Sequence, residues 1–159
     1  MFTPLICVDP EKLNLAQTLH TRSGPGVVPA LVHLSAMAPR VGDPALLRAV
    51  VTAYSRCLRL DQVPQVLRGL TASLLHLATN LADMRPLEPL IPVVQEVIKR
   101  GGDESARVNG LRFLEELFQK ERRVIVKARL LRILVLCLQS NASGVVETVT
   151  QFFRANLDD

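Results

Sequence analysis

The chain has 159 residues, a formal net charge of +4 and a hydrophobic fraction of 48%. These values exclude disordered, collagenous, disulfide-dense and transmembrane chains, because the sequence is apolar, has only three cysteines and lacks a long continuous apolar segment. It contains 27 leucines and 19 valines against five phenylalanines, one tyrosine and no tryptophan. Such an aliphatic composition favours a core built from helices.

Helix signals follow one another along the chain. The Asp-Pro pairs at 9–10 and 43–44 are typical of an N-cap followed by a first-turn proline, and Asp103 is a further N-cap candidate. Short connections make neighbouring helices antiparallel. We expect one all-α domain over residues 1–159, with 1–8 extended or disordered. Caps and apolar periodicity predict eight helices, over about residues 9–22, 26–37, 43–60, 61–82, 86–100, 103–119, 121–139 and 141–156.

Two of the predicted helices are unusually apolar. The segment from Val124 to Leu138 is apolar almost all round, which predicts a central position. The last helix carries a broad apolar arc that includes Val149, Phe152 and Phe153. This arc is wider than one neighbouring helix needs. It predicts either a docked partner, including a second copy of the chain, or a chain that is a fragment of a longer scaffold.

A short internal repetition links three places in the chain. Val28-Pro29 is echoed at Val63-Pro64 and at Ile91-Pro92, and a proline in the first turn of a helix costs no hydrogen bond. The segment Gly26–Leu34 resembles the start of the second helix of armadillo repeats, and Leu77–Ala82 is similar to the end of their third helix. The resemblance covers most of residues 26–118. It implies a right-handed α-solenoid of about eight antiparallel helices, with HEAT-like helix pairing as the alternative.

The armadillo resemblance also implies one site residue. In those repeats an asparagine late in the third helix holds the backbone of an extended peptide, and Asn80 matches that position. The corresponding positions of the neighbouring repeats are Arg56 and Glu116, so a regular ladder of asparagines is not present. Asn80 is therefore either a peptide contact or an ordinary polar residue at a helix end.

Basic residues are concentrated in one segment, residues 120–132, and we call the six of them there the basic cluster. Helical spacing predicts two ridges beside a buried face, one with Arg122, Arg129 and Arg132 and one with Arg123 and Lys127. Such ridges can meet an acidic partner helix or phosphates, or simply form a solvated helix face. The small net charge and the lack of interleaved aromatic residues argue against nucleic acid. The cluster consists of Lys120, Arg122, Arg123, Lys127, Arg129 and Arg132.

Nothing in the sequence indicates catalysis, a cofactor or a metal. His20, His33 and His76 have no cysteine, histidine or carboxylate at ligand spacing, and no nucleophile or phosphate-binding motif occurs. Cys7, Cys57 and Cys137 are odd in number and far apart, which predicts free thiols in a reducing compartment. The N-terminus lacks the features of a secretory signal, so we expect the cytoplasm or the nucleus.

The sequence therefore predicts a non-catalytic scaffold or adaptor that presents a helical-repeat surface to a protein partner. The alternative is a nucleic-acid-associated repeat protein that uses the basic cluster. No membrane binding is expected. The predicted partner contacts are Arg122, Arg123, Lys127, Arg129, Arg132, Asn80, Val149, Phe152 and Phe153.

Overall fold

The computed structural model describes residues 28–60, 62–100, 103–139 and 143–157. These residues are helical apart from short connections, and they include no strand, so the all-α prediction is confirmed. The predicted first helix and residues 1–8 lie outside the described residues. The described α-helices are α1 (Val28–Val41), α2 (Pro44–Arg59), α3 (Pro64–Asn80), α4 (Ile91–Arg100), α5 (Glu104–Lys120), α6 (Val124–Cys137) and α7 (Ser143–Leu157).

The predicted aspartate caps are present at two helix starts. The Asp43 carboxylate accepts a hydrogen bond from the backbone N–H of Ala45 at 3.0 Å, and the Asp103 carboxylate accepts one from Ala106 at 2.9 Å. Each bond satisfies a backbone donor that has no partner within its own helix. The helix predicted over about 61–82 begins at Pro64, with Val63 rather than an aspartate at the N-cap position.

The end of α1 differs from the prediction. The helix was expected to stop before Pro39, but it continues to Val41 with this proline inside its last turn. Pro39 lacks the N–H that would bond to the Ser35 carbonyl, and the helix ends two residues after it. Gly42 then ends the helix in the left-handed region, at a φ of 70°, and its N–H bonds to the carbonyl of Ala38 at 3.1 Å.

The helix predicted over 86–100 is divided. A 3-10 helix covers Arg85–Leu90, and α4 begins only at Ile91. Pro86, Pro89 and Pro92 each lack the N–H that an α-helical bond would need. The prolines therefore favour a short 3-10 segment before the regular helix.

Alternate helices lie next to one another. Helix α3 contacts α1 and α5, and α5 also contacts α7, so the four odd-numbered helices form one row. Helix α2 contacts α1, α4 and the 3-10 helix, while α6 makes its main contacts with α5 and α7. Side-chain bonds fix the relative direction within the row. Arg68 near the start of α3 bonds to Asp103 at the start of α5 at 2.8 Å, and Lys120 at the end of α5 bonds to the Leu81 carbonyl after α3 at 2.8 Å.

The same relation holds between α5 and α7. The Glu104 carboxylate near the start of α5 accepts from the backbone N–H of Gly144 at 2.6 Å. At the other end, the Gln119 side chain donates to the side chain of Asn156. Helices α3, α5 and α7 therefore run side by side in one direction. The odd-numbered helices begin at residues 28, 64, 104 and 143, so successive starts are 36, 40 and 39 residues apart.

This spacing corrects one inference from the sequence. Val28-Pro29 and Val63-Pro64 both lie at the start of helices of the row, α1 and α3, whereas Ile91-Pro92 opens α4, outside the row. Its counterpart in the row is the start of α5 at Glu104. The third proline echo is therefore not structurally equivalent to the first two.

The core of the described residues is mainly aliphatic, and it contains a buried polar contact between three helices. The Tyr54 side chain on α2 is fully buried, and its hydroxyl donates to the Ser35 hydroxyl of α1 at 2.8 Å. It also shares a hydrogen bond of 2.5 Å with the Ser73 hydroxyl of α3. Burial raises the pKa of Tyr54 to about 12. The neutral phenol thus joins three helices with its polar atom satisfied.

Candidate partner-binding surface

Lys120 of the basic cluster serves the fold itself. Its ammonium group donates to the carbonyls of Ala78, Thr79 and Leu81 at 2.7, 2.8 and 2.8 Å. These carbonyls lie at the end of α3, where a helix leaves acceptors without partners and carries partial negative charge. Lys120 is therefore a side-chain cap on a neighbouring helix.

Arg123 is also bound within the chain. Its guanidinium contacts the Glu121 carboxylate at 2.9 Å and the Glu88 carboxylate, on the 3-10 helix, at 2.8 Å. The hydrogen bonds from Arg123 lower the pKa of Glu121 to about 2. They also raise the pKa of the Arg123 guanidinium. In the predicted ridge of Arg123 and Lys127, the charge of Arg123 is thus neutralised by two carboxylates.

Lys127, the second residue of that ridge, is half-buried. Its ammonium lies 4.4 Å from the centre of the Phe118 ring, within the range of a cation–π contact. The predicted ridge of Arg123 and Lys127 is therefore occupied by contacts within the chain.

The other ridge remains available. The side chains of Arg122, Arg129 and Arg132 are exposed, and within the described part of the chain none of them has a hydrogen-bond or ion-pair partner. Arg129 and Arg132 lie on α6, and Arg122 lies just before it. The structure thus separates the basic cluster into cations used in the fold and three free arginines.

Helix α6 is not central, contrary to the prediction from its composition. Only Leu130, Ile133 and Leu134 are buried on it. Ile125 is 85% exposed near its start and Leu136 is 50% exposed near its end. The apolar sequence of α6 therefore comprises a buried face, with α5 and α7 as the main neighbours of the helix, and an exposed apolar face.

The outward faces of α2 and α4 offer a comparison. Their exposed positions are taken by residues such as Arg48, Thr52 and Glu96, and no large apolar side chain is exposed on either helix. On α6 four large apolar side chains are exposed, at Val124, Ile125, Val135 and Leu136. Of the helices α2, α4 and α6, only α6 therefore exposes large apolar side chains.

The apolar arc predicted on the last helix is mostly buried rather than exposed. Val149 is fully buried and Phe152 is 4% exposed, so both belong to the core and offer no surface to a partner. The Phe152 ring meets the Phe118 ring of α5 edge to face, with centroids 5.3 Å apart. Phe153 is half-buried beside Phe152. Helix α7 contacts both α5 and α6, and most of the arc is buried, with Phe153 partly exposed.

Asn80 ends α3 and is exposed. Its amide donates to the carbonyl of His76 at 2.9 Å and lies 3.2 Å from the His76 ring nitrogen Nε2. It also lines an open groove of about 960 Å³ between the ends of α3 and α5. Lys120, Arg122 and Arg123 line the same groove, so the structure brings Asn80 close to one end of the basic cluster.

A second groove, of about 470 Å³, crosses α3, α5 and α7. Glu115 lies in it and is half-buried, with its Oε2 atom buried and without a hydrogen-bond partner in the described residues. Burial raises the pKa of this carboxyl to about 7, and the repulsion of Glu116 adds to the effect, against the attraction of Arg112. The sequence does not indicate the burial of Glu115, because this burial depends on neighbouring helices.

We expect Glu115→Gln to change the pH dependence of stability. The pKa of Glu115 is 4.5 without the protein's influence and about 7 in the fold, so the folded chain binds more protons between these values. Stability therefore falls as the pH rises through this window, and it stays low above pH 7. At pH 8 the variant should be more stable than the unchanged chain by about 1 kcal/mol, because glutamine carries no charge that must be desolvated. The gain is this small because water partly reaches the carboxyl group. At pH 5 the two chains should be almost equally stable.

Urea denaturation at pH 5 and pH 8 measures this difference. Glu96→Gln, at an exposed position on α4, is the control and should have little effect at either pH. An unchanged loss of stability between pH 5 and pH 8 in Glu115→Gln would contradict the prediction.

Other groups give no further site in the described residues. Within them, no group of three or more His, Cys, Asp or Glu side chains is placed to hold a metal ion. Cys57 is buried and Cys137 is half-buried, both as free thiols, and burial raises the pKa of Cys137. Cys7 lies outside the described residues. Among the described helices, none is both long and apolar enough to cross a membrane.

Comparison with known proteins adds no relative. A scan against protein-family models gives no match, and a search of curated proteins likewise gives none.

Proposed function

We propose that the chain is a non-catalytic protein–protein interaction scaffold, built as an α-solenoid of HEAT-like helix pairs. The parallel alignment of α3, α5 and α7 is the observation that carries this proposal. Their starts are 40 and 39 residues apart, with one other α-helix between each pair. Repeats of about 40 residues with two helices each are typical of HEAT-like arrays, whereas armadillo repeats have three. The right-handed coiling expected from the armadillo resemblance stays a prediction.

The distribution of charge supports binding rather than chemistry. In the groove at the ends of α3 and α5, Lys120 and Arg123 are engaged by carbonyls and carboxylates of the chain. The surface left over consists of arginines and exposed aliphatic side chains on α6. Protein interfaces are enriched in arginine and bury apolar surface, so this composition favours a protein partner. Free thiols are compatible with the expected cytoplasmic or nuclear location.

Affinity capture from a cell extract tests the function. The full chain, immobilised and incubated with nuclease-treated extract, should retain a protein that soluble chain displaces in a concentration-dependent way. Recovery of nothing above the bare support would contradict the proposal. Capture that is observed only from untreated extract, together with a gel shift of nucleic acid by the chain at low salt, would favour the nucleic-acid alternative.

A further inference from the structure

One face of α6 combines charge and apolar surface in a regular order. Ile125, Arg129, Arg132 and Leu136 are all exposed, and they follow one another at intervals of four, three and four residues. Side chains at these intervals form a single stripe along a helix, and the same intervals occur at the seam between paired helices. The stripe spans roughly 16 Å, or about three turns. We call it the α6 stripe.

The order of residue types within the α6 stripe is symmetric. An apolar side chain lies at each end, and two arginines occupy the middle. Ala128 lies beside the arginines and is exposed, so the centre has a small residue where a second helix can approach. The opposite side of α6, with Leu130, Ile133 and Leu134, is already buried in the chain.

From this pattern we infer that the α6 stripe binds an acidic amphipathic helix of a partner protein. This inference rests on the proposed interaction function and names the kind of partner. The partner helix would place two carboxylates opposite Arg129 and Arg132, and an apolar side chain opposite each of Ile125 and Leu136. Arginines can bind carboxylates through two parallel hydrogen bonds, and both arginines lack a competing partner among the described residues.

A second copy of the chain does not fit the same surface. The stripe is symmetric about its middle, so an antiparallel pair of α6 helices would place Arg129 opposite Arg132 of the other copy. A parallel pair would place each arginine opposite its own equivalent. Both arrangements bring like charges together in an apolar surrounding, which is unfavourable.

Nucleic acid and membranes are poorer matches to the stripe. Phosphates would meet the two arginines but leave Ile125, which is 85% exposed, without an apolar contact. No aromatic side chain is exposed on α6 for base stacking. A membrane surface would require the two arginines to lie in the middle of the inserted apolar face rather than along its edge.

The test uses synthetic helical peptides and the full chain. A fluorescent peptide carries leucine, glutamate, glutamate and leucine at the same intervals of four, three and four on an alanine-rich helix. We expect measurable binding by fluorescence anisotropy, and a loss of at least about tenfold in affinity for Arg129→Glu/Arg132→Glu. A peptide with lysines in place of both glutamates should bind this variant better than it binds the unchanged chain.

Two further variants keep the test specific. Ile125→Ser/Leu136→Ser should weaken binding without changing the charge. Arg40→Glu/Arg48→Glu alters two exposed arginines on α1 and α2, produces the same change of net charge, and should bind the glutamate peptide as the unchanged chain does. Circular dichroism should give the same helix content for all variants.

Several outcomes would overturn the inference. These are no binding of the glutamate peptide, equal binding by the Arg129→Glu/Arg132→Glu variant, or equal binding of the lysine peptide by the unchanged chain. Tighter binding of an RNA oligonucleotide or of phosphatidylserine vesicles, lost in the same variant, would assign the stripe to those ligands instead. If extract capture persists in that variant, the interaction function holds and only the α6 stripe is wrong.

Discussion

Replacing Phe152 with alanine should lower the free energy of unfolding by about 3 to 4 kcal/mol. The Phe152 side chain is 4% exposed and packs edge to face on Phe118, which joins α7 to α5. Truncation of a buried aromatic side chain removes its favourable burial and leaves a cavity that neighbours fill only in part. Since α5 and α7 are neighbours in the row of odd-numbered helices, this contact holds α7 against the rest of the described row.

The adjacent phenylalanine supplies the control for this experiment. Phe153 is half-buried, so Phe153→Ala should cost about 1 to 2 kcal/mol. Thermal and urea denaturation followed by circular dichroism will measure both losses. Equal losses in the two variants would show that α7 is rotated from the position described. If the difference is observed, any binding defect of Phe152→Ala reflects stability and not a lost partner contact.

Replacing Lys120 with methionine should lower the free energy of unfolding by about 2 to 3 kcal/mol. The substitution keeps an apolar side chain of similar length but removes three charge-assisted hydrogen bonds to carbonyls at and after the end of α3. It also removes a cation from the negative end of the α3 dipole. Backbone amides in the last turn of α3 should exchange their hydrogens faster, because that turn loses its anchor on α5.

Lys127→Met is the matched control, since both substitutions remove one positive charge from the basic cluster. Lys127 loses only its contact above the Phe118 ring, which costs about 0.5 to 1 kcal/mol. Chemical denaturation distinguishes the two variants. A Lys120→Met chain as stable as the unchanged protein would show that this lysine is a surface residue without a capping role.

The separation of cations used in the fold from free cations guides the choice of binding variants. Charge reversal at Lys120 or Arg123 would disturb the junction of α3, α5 and the 3-10 helix along with any binding. Charge reversal at Arg129 and Arg132 changes only exposed side chains of α6. The second pair therefore tests recognition without confounding it with stability.

Local features of the fold were predictable from the sequence. Asp43 and Asp103 were recognised as caps because an N-cap bonds to a backbone N–H only two or three residues further on. The helix content followed from apolar periodicity, which each segment carries in itself. The exception at Pro39 arises because a proline weakens a helix without fixing its last residue, so the helix end is predictable only to within a few residues.

The candidate surface was predictable only in part. The basic cluster and its two ridges were visible, and so was the ridge that now carries the free arginines. Ile125 and Leu136 were missed, although their spacing from Arg129 and Arg132 was a usable signal. The sequence could not indicate that Arg123 bonds to Glu88, 35 residues away, because that ion pair joins two elements brought together by the fold.

The sequence by itself determined an aliphatic all-α chain, the aspartate caps of two helices and a local excess of arginine and lysine. The tertiary structure decided which apolar faces are covered, and it exchanged the roles expected for the last two helices. Val149 and Phe152 of α7 are buried, whereas Ile125 and Leu136 of α6 are exposed. Hydropathy along one helix gives the width of its apolar surface, but burial depends on how many neighbours reach that surface. Only the packing of α5, α6 and α7 fixes that number.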